Sequence, residues 1–332
     1  MKAIKILTMA ALATAVFASC SSEDELAQSN YPMDNVVRIM TSVDGMNTRA
    51  SYGNSTDKLN SFGFCINNAG NTKYTYDNIK VTQENGKWNP ATQMLWLNST
   101  TPVDILAYAP FQETTEDASG KVKVFGKTDY AFSVKEDQSK AEDYSSDLIV
   151  YKQTGFKPES DLNTNQAVNV AFTHLLSQLN LTIELRDQFN QDEKKPVTSA
   201  TVTDVKVDGT FIRSKVNFAA DPISVQIGGS GTKVAKAITP ETVAFTKADK
   251  TTDHATFKYS AIVIPQWIRA GVFCISFKVN GNDYIWTSTS DVNFVSGKKH
   301  ELCLLVGKDV VQVKGITATP WGKENITQGE TD

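Results

Sequence analysis

The chain has 332 residues, of which 40% are hydrophobic and 21% charged, and its formal net charge is −4. That composition is globular rather than disordered, and the length exceeds what one hydrophobic core usually serves, so two domains are expected. The mild acidity excludes the basic excess of a nucleic-acid binder, so no nucleic-acid partner is expected. Nowhere does an apolar run reach the roughly 20 residues a spanning helix needs.

Lys2 and Lys5 precede an apolar stretch at residues 6–17, and Phe17-Ala18-Ser19-Cys20 closes it with small residues. This segment resembles a lipobox, although Phe17 stands where such motifs usually carry Leu. The resemblance implies cleavage before Cys20, acylation of its thiol and an outer-membrane anchor through the lipid. An ordinary signal peptide with an incidental cysteine is the alternative. Ser21, Ser22, Glu23, Asp24 and Glu25 follow. This acidic run resembles the surface-export signal of lipoproteins in one Gram-negative phylum. Residues 1–19 are therefore expected to be a lipoprotein signal peptide.

Residues 21–35 read as a polar tether, and residues 36–43 as the first strand. Val37, Ile39, Thr41 and Val43 share one face there, with Arg38, Met40 and Ser42 on the other. Asp44-Gly45-Met46-Asn47 breaks the pattern with turn formers. Short alternating segments follow at residues 59–66, 74–81, 103–109, 121–125, 130–134 and 148–151. Asn85-Gly86 between strand-like flanks is a hairpin signal. Residues 154–166 are polar and breaker-rich, and they read as the boundary between a domain at 50–160 and another at 161–332.

Beyond that boundary Val168, Val170 and Phe172 share one face, whereas Leu179, Leu181, Ile183 and Leu185 have the opposite parity. The phase flips between residues 174 and 178, where a bulge or a single turn is expected. More strands read out at residues 200–207, 215–218, 223–227, 255–264, 272–279, 284–287, 300–306 and 310–316. Asn280-Gly281 gives a second hairpin signal. Only residues 141–151 and 172–179 would admit a helical turn. Many short strands at regular spacing predict an all-β fold of tandem β-sandwich domains.

Catalytic and metal motifs fail one by one, and no enzyme activity, cofactor or metal is expected. His174, His254 and His300 stand far apart and form no metal-ligand spacing. Residues 120–128 imitate a phosphate loop, but five residues separate Gly120 from Gly126 where four are needed, and the segment alternates like a strand. If Cys20 is acylated, three cysteines remain: Cys65, Cys274 and Cys303. They read as small buried hydrophobes, with Cys274 and Cys303 the one pair worth testing for a disulfide. Trp88, Trp96, Trp267, Trp286 and Trp321 would supply a glycan-stacking platform if exposed, but scattered tryptophans are more often core.

Several segments together resemble the fimbrillin family of type V pilus lipoproteins. They are residues 105–110 (Ile-Leu-Ala-Tyr-Ala-Pro), 147–151 (Asp-Leu-Ile-Val-Tyr), 172–179 (Phe-Thr-His-Leu-Leu-Ser-Gln-Leu), 262–266 (Ile-Val-Ile-Pro-Gln) and 296–300 (Ser-Gly-Lys-Lys-His). Asn47-Thr48-Arg49-Ala50 is similar to the family's N-terminal processing region. The resemblance implies two transthyretin-like β-sandwich domains in tandem. It also implies a trypsin-like, arginine-specific protease that removes the N-terminal strand and opens a groove for another fimbrial subunit's C-terminal strand. On that scheme residues 20–49 are the tether and removable strand, carrying Val37, Ile39, Thr41 and Val43.

Of the two nearby arginines, Arg38 lies inside the strand, and Arg49 follows a turn-rich stretch that a protease reaches easily. The expected cut is between Arg49 and Ala50. Val311, Val313, Ile316 and Ala318 form a two-part apolar stretch with a break at Gly315. It is either a donor strand or simply the last strand of the second sandwich. The competing function is a non-polymerising surface lipoprotein that binds glycans.

Overall fold

The computed structural model describes residues 30–43, 58–113, 123–140, 142–189, 196–228, 233–248 and 254–321. In chain order the strands are β1 (Arg38–Val43), β2 (Ser61–Asn67), β3 (Tyr76–Glu84), β4 (Lys87–Pro90), β5 (Val103–Ala109), β6 (Tyr130–Ser133), β7 (Ile149–Phe156), β8 (Ala167–His174), β9 (Ser177–Leu185) and β10 (Val202–Asp208). They continue as β11 (Arg213–Asn217), β12 (Ser224–Gln226), β13 (Glu241–Thr246), β14 (Ala255–Val263), β15 (Gln266–Ile268), β16 (Cys274–Val279), β17 (Asn282–Thr287), β18 (Val292–Phe294), β19 (Lys298–Val306) and β20 (Val311–Pro320). A single helical turn, α1 (Pro158–Asp161), and short 3-10 turns such as Tyr144–Ser146 interrupt them. The fold is all-β, as the alternation predicts.

The largest sheet has the order β1-β8-β7-β5-β2-β3-β4, and a five-stranded sheet runs β13-β14-β9-β19-β20. Two three-stranded sheets, β10-β16-β17 and β12-β11-β6, and the pair β15-β18 complete the architecture. Both Asn-Gly signals close hairpins. Asn85 and Gly86 have φ of 51° and 75° between β3 and β4, and Asn280 and Gly281 have 49° and 84° between β16 and β17. Two successive positive φ values match the right-handed twist of the flanking strands, and Asn-Gly tolerates them.

The change of phase near residue 176 has a cause other than a bulge. β8 buries its even-numbered residues Val168, Val170, Phe172 and His174, and β9 buries Leu179, Leu181, Ile183 and Leu185. Leu175 and Leu176 carry the chain out of the seven-stranded sheet and into the five-stranded one. The parity switches because the buried face belongs to a different sheet. A helical turn does not form there; the turn near residue 145 does, with Asp143 accepting a bond from the Ser145 amide.

Strand pairing crosses residue 160 in both directions. β8 returns to lie beside β7 and β1, and β6 runs forward to pair with β11. The polar stretch at 154–166 accordingly holds the end of β7 and all of α1.

Two cores result, with the seven-stranded sheet between them. Ile39, Phe62, Phe64, Ile105, Ala107, Val168 and Phe172 fill one side. Cys65, Leu106, Tyr108 and Val150 face the other side and join the larger core with Tyr130, Phe132 and Phe218. The ring of Tyr108 lies 5.6 Å from Tyr130 and 5.7 Å from Phe218. A strand buried on both faces reads as a continuous apolar run, which is how residues 103–109 look in the sequence. Lys152 Nζ ties β7 to the next layer by donating to the carbonyls of Phe218, Ala219 and Ala220 at 3.1, 3.1 and 2.8 Å.

Candidate functional site at the first and last strands

β1 pairs in parallel with β8, in a register running from Arg38 opposite Ala167 to Val43 opposite Phe172. This pairing turns Val37 and Ile39 into the first core, where they are 3% and 8% exposed. Thr41 is half-buried, and its Oγ1, shut from solvent, has no hydrogen-bond partner among the described residues. Val43 ends the ladder. On the opposite face Met40 is exposed, and its sulfur accepts from Asn163 Nδ2 and Asn165 Nδ2 at 3.4 and 3.3 Å. Arg38 reaches Asp34 at 2.6 Å in solvent, a pairing of small energetic weight.

The start of β1 is clamped on its second edge too. Val37 N donates to Met94 O at 3.0 Å, and Trp96 N donates to Asn35 O at 2.8 Å. Past that point the edge of β1 lines a cleft of about 920 Å³, with β4 as the far wall. The sheet therefore curls toward closure without joining β1 to β4. Cys20, Arg49 and Ala50 lie outside the described residues.

β20 occupies the edge of the five-stranded sheet, antiparallel to β19. The register shifts by one residue where Gly315 opposes Cys303 and Val313 opposes Leu304, so Lys314 is the bulged residue. That is the structural meaning of the break read at Gly315. Val311 is half-buried, whereas Val313 and Ile316 are 46% and 45% exposed and Ala318 is exposed too. An edge strand with unburied β-branched side chains is a ready template for pairing with another chain. Glu184 of β9 anchors the bulge by accepting from Lys314 Nζ, and it also accepts from Cys303 Sγ at 3.2 Å. Burial opposes ionisation of Glu184, but these bonds outweigh it and hold the carboxyl below its ordinary 4.5.

The titratable groups of the interior are shut away rather than presented to a ligand. His174 Nδ1 lies 2.9 Å from Asp147 Oδ1, with both side chains fully buried. His300 Nε2 accepts the Val295 amide at 3.1 Å, and desolvation lowers its pKa. The described residues contain no group of three metal-ligating side chains. Cys65, Cys274 and Cys303 are free thiols, the latter two in different sheets. Burial raises the pKa of all three, that of Cys303 to about 11. The tryptophans do not form a platform. Trp96 stacks on Phe156 at 5.6 Å and Trp286 packs edge-on to Phe273, while Trp321 is buried and Trp88 half-buried against Phe62. Trp267 alone of the five is exposed.

The sequence matches the model of the fimbrillin-like proteins across residues 48–321. The chain belongs to the fimbrillin-like family. Its fold is similar to that of a candidate cell adhesion protein from Bacteroides uniformis ATCC 8492, with 22% identity, a TM-score of 0.53, and coverage of 87% of this chain and 99% of that one. A candidate cell adhesion protein from Bacteroides ovatus ATCC 8483 is similar at 15% identity and a TM-score of 0.60, over the same shares of the two chains. A fimbrial protein from Bacteroides vulgatus ATCC 8482 is similar at 16% identity and a TM-score of 0.51, over 86% and 99%. No curated protein matches the chain. Membership gives this fimbrillin-like protein a structural role in a cell-surface pilus.

Proposed function

We propose that this fimbrillin-like protein is a lipid-anchored pilus precursor that polymerises by strand exchange after proteolysis. Cys20 is the lipid attachment point, holding the precursor in the outer membrane. A trypsin-like, arginine-specific protease cuts between Arg49 and Ala50. The segment carrying Val37, Ile39, Thr41 and Val43 then leaves, and β20 of another fimbrial subunit, through Val311, Val313, Ile316 and Ala318, takes its place.

The observation that carries this reading is the position of β1. It is an edge strand whose buried Ile39, with Val37 just before it, completes the first core. Its departure uncovers the β8 edge together with Val168, Val170 and Phe172. Burial of each aliphatic side chain is worth about 1.5–3 kcal/mol, so the vacated groove favours any strand of matching alternation. β20 supports the other half of the scheme, because its Val313, Ile316 and Ala318 are already uncovered.

Limited trypsin treatment tests the proposal. The product is expected to begin Ala50-Ser51-Tyr52-Gly53 and to form a ladder of SDS-resistant species. An Arg49→Ala chain that still polymerises, or a trimmed product that runs as one band, refutes it. The single band is also the outcome expected of a glycan-binding surface protein. For the anchor, Cys20→Ser is expected to abolish labelling by a radiolabelled fatty acid, and unchanged labelling ends the lipoprotein reading.

A further inference from the structure

β20 is held in its sheet in an unusual way. Its backbone pairs with β19 along its whole length, yet the side chains from Gln312 to Ala318 are exposed. The residue that follows the strand is the exception. Trp321 is 6% exposed, and its indole lies flat on the imidazole of His174, with ring centroids 3.8 Å apart and planes 1° from parallel. Its amide donates to Gly297 O at 2.9 Å.

The socket is assembled from three separate pieces of chain. His174 ends β8, in the other large sheet, and is fixed from behind by Asp147. Leu175 and Leu176 form the crossover between the sheets. Ser296 Oγ donates to Leu175 O at 2.6 Å, and Gly297 N donates to Leu176 O at 2.9 Å. Gly297, in the β18–β19 turn, has φ of 67°, and a Cβ there would stand 3.3 Å from the His174 carbonyl oxygen. A side chain at 297 would press on the segment that carries the stacked imidazole. One aromatic ring thus pins the last strand to the junction between the two sheets.

Among the described residues the ring is held by stacking and burial. Trp321 Nε1 is buried and has no hydrogen-bond partner among the described residues. A buried donor left unbonded penalises the docked state relative to one in which water reaches the indole. The docking orders the strand through one ring rather than through a row of buried side chains, so a single undocking event frees it.

We infer that Trp321 in its His174 socket is a latch that regulates release of β20. The inference rests on the donor role proposed above for β20. Undocking the indole lets the strand peel from Pro320 back to the Lys314 bulge, where the Glu184 ion pair forms a second, weaker hold. The latch keeps the strand at home in the precursor, and opening it is the step that precedes exchange.

Hydrogen exchange followed by mass spectrometry on the full chain tests the latch, using wild type, Trp321→Ala and Trp321→Phe. In the alanine variant the amides of β20 and their β19 partners are expected to exchange on the order of 100-fold faster, as large-to-small substitution of a docked aromatic implies. β14 and β13, at the far edge of the same sheet, are expected to stay at wild-type rates. Phenylalanine, which keeps a stackable ring, is expected to fall between the two. Unchanged β20 exchange overturns the inference. An equal rise in β13 and β14 overturns it too, since Trp321 would then be an ordinary core residue. Should the alanine variant not fold, the phenylalanine variant decides alone, and wild-type β20 exchange in it overturns the latch. Polymerisation of the trypsin-cut chains separates this inference from the donor reading. Faster ladder formation by the variants supports both. Loosened β20 with no ladder from any chain, wild type included, leaves the latch standing and sinks strand exchange.

Discussion

The first strand offers the sharpest test of the fold, through Ile39→Asp. Ile39 is 8% exposed, pairs opposite Val168 and belongs to the first core with Phe62 and Phe172. Truncating a well-buried isoleucine costs about 2–5 kcal/mol. Here the low end applies to the lost packing, because β1 borders the cleft of about 920 Å³ and its neighbours have room to settle. Asp also introduces a charge on a face lined by hydrocarbon, and a carboxylate so placed must draw water through the cleft or take up a proton. The sum is roughly 2–3 kcal/mol, which for a protein of this size lowers the melting temperature by about 3–4 °C. Met40→Asp is the paired control. Met40 is 43% exposed on the opposite face, so its replacement is expected to change stability by no more than about 0.5 kcal/mol. Near-ultraviolet circular dichroism, sensitive to the stacked Trp96 and Phe156, reports melting of this core directly. Equal melting temperatures for wild type and Ile39→Asp would show that β1 is not docked. A larger loss at Met40 than at Ile39 would show that the register is displaced by one residue.

Three further outcomes are expected. Glu184 has a depressed pKa in the folded chain, so the stability it contributes is present above pH 4.5 and is lost as the pH falls through the folded value. Exchange in β20, corrected for intrinsic rates, should therefore rise on acidification below that point, and Glu184→Gln should remove the dependence. Cys65 is fully buried and its thiol sits well above its ordinary value, so a thiol reagent should modify it only on unfolding, with Cys274 and Cys303 reacting slowly before it. Replacing Lys152 by Met, which keeps the hydrocarbon stem and removes the donor to three carbonyls, should cost about 1–3 kcal/mol by chemical denaturation.

Local patterning made much of this fold legible. Asn85-Gly86 and Asn280-Gly281 announce hairpins because only a few residue pairs accept two positive φ values. The alternation of Val37 and Ile39 with Arg38 and Met40 gives the buried face of β1 correctly, because a half-buried strand has period two. The path of the chain between sheets was not legible in the same way. The polar run at 154–166 reads as a boundary by composition, yet the passage between sheets is at Leu175-Leu176, two apolar residues with no breaker near them. Their signature is the parity change across residues 174–178, and period-two reasoning alone cannot tell a bulge from a change of sheet. Pairings such as Trp321 with His174, or Lys152 with the carbonyls of residues 218–220, join segments far apart in sequence and leave no local trace.

The placement of the first and last described strands bears on whether exchange is mechanically reasonable. A central strand is bonded along both edges, and removing it would cost two ladders and split its sheet. β1 and β20 each lie at a sheet edge, and each keeps one full ladder, to β8 and to β19. Their side chains differ in the complementary sense. β1 contributes buried aliphatic groups that leave an apolar slot when it departs, and β20 carries uncovered Val313 and Ile316 that gain burial on arriving in such a slot. Once β1 has left, the backbone terms of the second step nearly cancel, since the β19 ladder broken on the donor is replaced by a β8 ladder on the acceptor. The net drive then comes from apolar area and scales with the side chains newly covered. Substituting Val313 and Ile316 together by Thr should accordingly leave the monomer's stability almost unchanged, because both are already exposed. The same double change should weaken assembly. A loss of monomer stability without any loss of assembly would assign these side chains to the second core and remove β20 from the exchange.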